Sequence, residues 1–168
     1  CCRKYEKHGD IHGKLRGHYQ EVRKKYPEAF YETDWLKETI ATESIELCTN
    51  PMEPENKQPQ LWDRMVKEMN EVDNILIQTP YIICNQKMYQ DLTEICSRSV
   101  KTEIIINAVE SGTNPFGCTD YLNQKKNVRQ TGSYVYEYLG AQALHTKTIL
   151  AGDTLSMVGS CNLDMRSV

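Results

Sequence analysis

No apolar run in this 168-residue chain approaches the ~20 residues that a membrane-spanning helix needs. No signal-peptide pattern is present either. Seven cysteines occur, Cys1, Cys2, Cys48, Cys84, Cys96, Cys118 and Cys161, but no C-x-x-C pair. Their number is odd, their spacing is scattered, and several sit in apolar runs where a free thiol behaves as a small hydrophobe. That argues against a disulfide framework and for a reducing compartment. Cys1 and Cys2 with His8, His12 and His18 match no structural zinc spacing, and an exposed basic helix accounts for them. No internal repeat is visible. An overall excess of positive charge is also missing: the net charge is −3, which argues against nucleic acid as a partner.

What is present is an ordinary globular composition, 39% hydrophobic and 26% charged, long enough for one domain with a real core. The charge is uneven. Residues 1–26 hold eight Lys/Arg against three acids, and residues 27–58 hold eight acids against Lys37 and Lys57. The basic start reads as a solvated helix face. Leu15 to Tyr26 is amphipathic and stops at Pro27. The spacing of Phe30, Trp35, Leu36 and Ile40 predicts a second helix from Pro27 to Ala41. Ile45 to Thr49 reads as a short strand, and the proline-bearing stretch from Asn50 to Pro59 as an exposed loop. Leu61, Trp62, Met65, Val66, Met69 and Val72 form one helical stripe. Strands are predicted at Ile75–Ile77, Thr102–Val109, Ser133–Tyr138, Leu144–Ala151 and Leu155–Gly159, with helices near Lys87–Arg98 and Thr119–Lys126. This alternation predicts an α/β fold, a mixed sheet flanked by helices, over residues 43–168. Residues 1–42 are helical and compositionally distinct, as the tail of a preceding domain would be.

The chemistry concentrates near the C-terminus, in His145-Thr146-Lys147, Gly152-Asp153 and Gly159-Ser160-Cys161-Asn162. Alternation on a strand would project His145 and Lys147 side by side. Gly159 permits close backbone approach, and Ser160 and Asn162 supply short hydrogen-bonding groups. Imidazole, ammonium, hydroxyl and amide converging at strand ends suit a tetrahedral anion, with an imidazole able to attack phosphorus. An isolated H-x-K is usually accidental, and His12-Gly13-Lys14 is such an accident. The C-terminal pattern fixes several residue types at once, which chance explains poorly.

The text HTKTILAGDTLSMVGSCN, continuing LDMRS, resembles the H-x-K-x4-D-x6-G-S-x-N motif of the phospholipase D superfamily. With IQTPYI at Ile77–Ile82 and VYEYLGAQALH at Val135–His145, it is most similar to the second half of bacterial cardiolipin synthase-like proteins. The resemblance implies phosphodiester or phosphatidyl transfer on a phospholipid through a phosphohistidine, with no metal and no cofactor. His145 would be the nucleophile or its partner acid/base. Lys147 and Asn162 would hold phosphate oxygens, and Gly159 and Ser160 would complete the phosphate site. Asp153, Glu110 and Ser111 are candidates for a supporting shell; the latter two lie in a polar loop after a strand, where open α/β sheets place ligands.

Three departures shape the expectations. The motif's Asp falls at Gly152, and only Asp153 beside it is acidic. The orienting acid that relatives carry beyond the Asn is missing before Val168. A second motif is missing too, since His145 is the only histidine after His18. The chain, which begins at Cys1, is therefore expected to be a C-terminally incomplete second half whose partner is a second half-domain, in a parent chain or a homodimer. The parent protein would be cytoplasmic or membrane-associated and work at a membrane surface. Two alternatives stand beside this: a nuclease of the same superfamily acting as a symmetric dimer, and a degenerate, non-catalytic half-domain.

Overall fold

The computed structural model describes residues 10–53, 55–56, 58–112 and 114–168. The chain divides into two compact units, Cys1–Glu46 and Leu47–Val168. In the first, helix α1 (Ile11–Lys25) is capped by Asp10, whose carboxylate accepts the Gly13 N–H at 2.7 Å. It ends before Pro27, which opens a single 3-10 turn, Pro27–Phe30. The rings of Tyr19 and Phe30 meet edge-on, centroids 5.3 Å apart.

Two expectations fail nearby. No helix runs from Pro27 to Ala41, and Trp35, Leu36 and Ile40 are exposed. Ile45–Thr49 is not a strand. Periodicity proposes an apolar face, but without a neighbour to bury it a short helix or strand has no source of stability.

The second unit comprises α2 (Gln60–Met69), β1 (Asn74–Gln78), β2 (Ile82–Ile83), α3 (Gln86–Ser97), β3 (Lys101–Asn107), α4 (Pro115–Gln130), β4 (Tyr134–Tyr138), β5 (Thr148–Ala151), β6 (Leu155–Val158) and β7 (Leu163–Asp164). Five strands form a mixed sheet in the order β4-β3-β1-β5-β6. β1, β3 and β4 are mutually parallel, while β5 runs antiparallel to β1 and to β6. β2 and β7 pair separately, Ile82 opposite Leu163. Alternation along the strands buries Ile75, Ile77, Ile104, Ile106 and Ile149. They share one core with Trp62 and Met69 of α2, Met88, Leu92 and Ile95 of α3, and Tyr121 and Val128 of α4. The helical stripe of α2 is thus spent on the sheet, as its spacing predicts.

This topology positions the site. The parallel strands β1 and β3 end at one edge of the sheet. β5, being antiparallel, begins there, and β6 ends there. Everything that follows β1 and β3, precedes β5 or follows β6 is delivered to that edge, where open α/β sheets characteristically bind ligands.

Candidate functional site

A cavity of about 100 Å³ opens at this edge, lined by Pro80, Tyr81, Asn107, Gly112, Asn114, Cys118, His145 and Asn162. Among the described residues no acidic side chain lies on its wall. Each segment arrives for a local reason. Pro80 and Tyr81 follow β1. Asn107 is the last residue of β3. Asn114 caps α4, accepting the Gly117 N–H at 3.1 Å ahead of Pro115 in the first turn. The positive end of a 16-residue helix therefore abuts the cavity, a setting that favours an anion. His145 lies just before β5, and Asn162 just before β7.

The sequence places His145 and Lys147 on a strand, but β5 begins only at Thr148. His145 stands in a stretch without ladder hydrogen bonds and is solvent-exposed while it lines the cavity. Lys147 is at the hinge between that stretch and the sheet: its carbonyl accepts the Gly159 N–H at 3.1 Å, prolonging the β5–β6 ladder by one rung. Its ammonium donates to the His145 carbonyl at 2.9 Å and is not on the cavity wall. Partial burial holds the Lys147 pKa below the ordinary lysine value.

Asn162 is held from two sides. Its Nδ2 donates to the Tyr81 hydroxyl at 3.0 Å, and the next residue's N–H, Leu163, donates to Thr79 Oγ1 at 3.1 Å. Its Oδ1 is buried and has no hydrogen-bond partner among the described residues. A phenol both donates and accepts, so the amide can be turned over with the Tyr81 bond kept, exchanging an unpartnered acceptor for an unpartnered donor. That donor would suit a phosphate oxygen.

The remaining predicted residues lie elsewhere. Gly159 and Ser160 are exposed on the approach to Asn162 and do not line the cavity. A Cβ at Gly159 would meet no protein atom within 4 Å, so the protein itself does not require glycine there. Asp153 sits in the turn between β5 and β6, at the opposite end of the hairpin from His145, because β5 leads away from the site. Glu110 is exposed, off the cavity wall. Ser111 uses its hydroxyl on the Tyr138 carbonyl, at 2.6 Å, and so steadies the loop rather than reaching the cavity. The departure at position 152 also becomes intelligible. Gly152 has φ +58°, the left-handed backbone of a tight turn, so the site and the missing carboxylate are separated by the length of a strand.

Sequence reasoning missed Thr79, Tyr81 as an Asn162 partner, and Asn107; Asn114 ends the polar loop, Glu110 to Asn114, that the sequence singles out for a supporting shell. The signal for Asn107 was an amide ending a run of three isoleucines. A polar residue closing a buried strand stands where ligands bind.

Among the described residues no group of three or more His, Cys, Asp or Glu is placed to hold a metal ion. No helix among them is long and apolar enough to cross a membrane.

Residues 65–168 match the family model described as "Cardiolipin synthase, PLD-like domain". Cardiolipin synthase A of Wigglesworthia glossinidia brevipalpis is 30% identical over 95 residues, covering 56% of this chain and 18% of that protein. The major cardiolipin synthase ClsA of Bacillus subtilis is 28% identical over 116 residues, 68% of this chain and 23% of that protein. The chain thus spans less than a quarter of either relative. Nuc from Salmonella typhimurium, described as a phospholipase D family member, superposes with a TM-score of 0.50 at 16% identity, covering 64% of this chain and 68% of that chain. At that identity the likeness concerns the fold, and the fold agrees: a mixed sheet flanked by helices.

Proposed function

We propose, for a chain that belongs to the PLD-like domain family of cardiolipin synthases, that it supplies one half of a site for phosphatidyl transfer. The observation that carries the reading is the meeting of His145 and Asn162, from separate segments, on one acid-free cavity beside a helix N-terminus. In the first step an imidazole nitrogen bonds to phosphorus while the bond from phosphorus to the leaving alcohol's oxygen breaks. A second histidine protonates that oxygen, then takes the proton from the acceptor alcohol as the alcohol displaces the imidazole; one histidine of the pair belongs to this chain and the other to the partner half-domain. His145 takes one of these two parts. Asn162, the α4 N-terminus and Lys147, once its ammonium leaves the His145 carbonyl, stabilise the charge on the non-bridging oxygens. The substrate is a phospholipid, and the parent protein works at a membrane surface.

The turn geometry at Gly152 supports this reading over the degenerate half-domain, since the lost carboxylate would lie away from the cavity. The test uses bis(p-nitrophenyl) phosphate, whose leaving group needs no general acid, so a lone half-site can react. An acid-labile adduct confined to His145, absent in His145→Ala, is the expected result by mass spectrometry. An unlabelled chain whose His145 imidazole resonances also ignore inorganic phosphate overturns the reading.

A further inference from the structure

Asn107 is 4% exposed and lies 37 residues from Leu144 in sequence. Its side-chain amide nevertheless grips the Leu144 backbone at two points. Oδ1 accepts the Leu144 N–H at 2.7 Å, and Nδ2 donates to the Leu144 carbonyl at 2.8 Å. The same Nδ2 donates to the Pro80 carbonyl at 3.1 Å, and the Asn107 backbone N–H reaches that carbonyl at 3.2 Å. Residues 139–147 belong to no strand or helix, so Leu144 has no ladder to fix it. The amide acts as a one-residue strand partner in its place. The Leu144 carbonyl belongs to the peptide plane shared with His145, so holding it sets the direction from which the His145 side chain departs. Pro80 precedes Tyr81, the Asn162 partner. One buried amide therefore ties the segment carrying His145 to the segment that holds Asn162.

We infer that Asn107 is a positioning residue for His145, aligning it with Asn162 across the cavity. The inference rests on the phosphate reading of that cavity. It assigns Asn107 a role that an apolar residue of similar size cannot fill, because the backbone of residue 144 would lose both partners at once. Only a group that donates and accepts across one planar unit serves. Aspartate tests this: as a carboxylate it keeps an acceptor for the Leu144 N–H but turns its second, lone-pair-bearing oxygen on the Leu144 and Pro80 carbonyls, whereas protonated it again accepts and donates. Burial and those carbonyls raise the pH at which it ionises.

The experiment takes the full 168-residue chain and its Asn107→Asp and Asn107→Ala variants. Inorganic phosphate binding is followed through the His145 imidazole resonances, and hydrogen exchange at the Leu144 amide is measured alongside. At about pH 8, Asn107→Asp is expected to bind phosphate about tenfold more weakly than the unaltered chain, a loss typical of removing an orienting partner. The Leu144 amide should exchange faster. Towards about pH 5 the gap should close for Asn107→Asp and persist for Asn107→Ala, which a merely structural role would not produce. If Asn107→Ala does not fold, the acid recovery of Asn107→Asp decides alone. Unchanged affinity and unchanged Leu144 exchange at alkaline pH overturn the inference. If phosphate never touches His145 in the unaltered chain, the phosphate reading falls instead, and the exchange arm by itself decides whether Asn107 positions the histidine.

Discussion

Asn162 donates its amide to the Tyr81 hydroxyl at 3.0 Å, joining residues 81 positions apart at the mouth of one cavity. The Tyr81 ring is itself fixed, packed so closely on α4 that a Cβ at Gly117 would stand 2.8 Å from its Cδ1. The phenolic oxygen is thus a rigid post against which the amide is set. Tyr81→Phe keeps the ring and removes the post. The expected cost is about 1 kcal/mol in stability, the usual net worth of one such bond. Phosphate affinity at His145 should fall with it. Thermal unfolding and a phosphate titration check this, and unchanged affinity would separate Asn162 from the anion site.

Gly152→Asp restores the family motif's acid and tests the degenerate reading directly. Gly152 has φ +58°, and an added Cβ would approach Val72 Cγ1 to 3.2 Å. Stability should drop by about 1 kcal/mol, since left-handed backbone is strained for most side chains and least so for Asp and Asn. Phosphate binding at His145 should not change, because the turn is at the far end of the hairpin. A gain in binding would mean that the turn and the cavity communicate.

The isolated chain should turn over a phosphodiester with an alkyl leaving group slowly or not at all. One His145 cannot be nucleophile and leaving-group acid in the same step, and general acid catalysis is worth ~10²–10⁴ in rate. Chelator should leave any residual turnover intact. Robust activity that vanishes in His145→Ala would refute the half-site reading. If that activity rose faster than linearly with protein concentration, a symmetric dimer would replace it.

Glu137 gives the acid limb of stability. It accepts the Lys125 ammonium and the Tyr121 hydroxyl, which hold its carboxyl below the ordinary value of 4.5. A carboxylate with a depressed folded-state pKa contributes stability that is complete above the unfolded value and is lost as pH falls through the folded one. Glu137→Gln should therefore lower the melting temperature at neutral pH, by the equivalent of less than ~1 kcal/mol for a pair at the surface. The difference between variant and parent should begin to shrink as pH falls below 4.5 and vanish only once the pH is below the depressed folded-state value. A difference independent of pH would assign the effect to packing.

The α/β class was legible because its main elements carry their own periodicity. The triple isoleucine of β3 and the apolar stripe of α2 could hardly be anything else: Ile104 and Ile106 of the one and Leu61, Trp62 and Met69 of the other are buried. The helix from Pro27 to Ala41 and the strand at Ile45–Thr49 were not legible: their patterns are short, and burial, which the pattern only invites, never came. The minor pairing of β2 with β7, only two residues on each side, gives no periodic signal at all.

The site divides in the same way. His145, Lys147 and Asn162 stand out in the sequence because each brings chemistry at a fixed spacing, and spacing along one chain is what a motif records. By itself the sequence determined the family, the fold class and the residue types offered to an anion. Only the tertiary structure decided who stands beside whom. It set Asp153 at the wrong end of its hairpin, put the Lys147 ammonium on the His145 carbonyl, and brought Asn107, Thr79 and Tyr81 to the backbones and side chains that carry the motif. Asn107 ends β3, and Thr79 and Tyr81 follow β1, two strands that pair in parallel, with β2 and α3 between them in the chain. Their alignment is fixed by sheet register and core burial rather than by distance along the chain, so no local pattern could announce them.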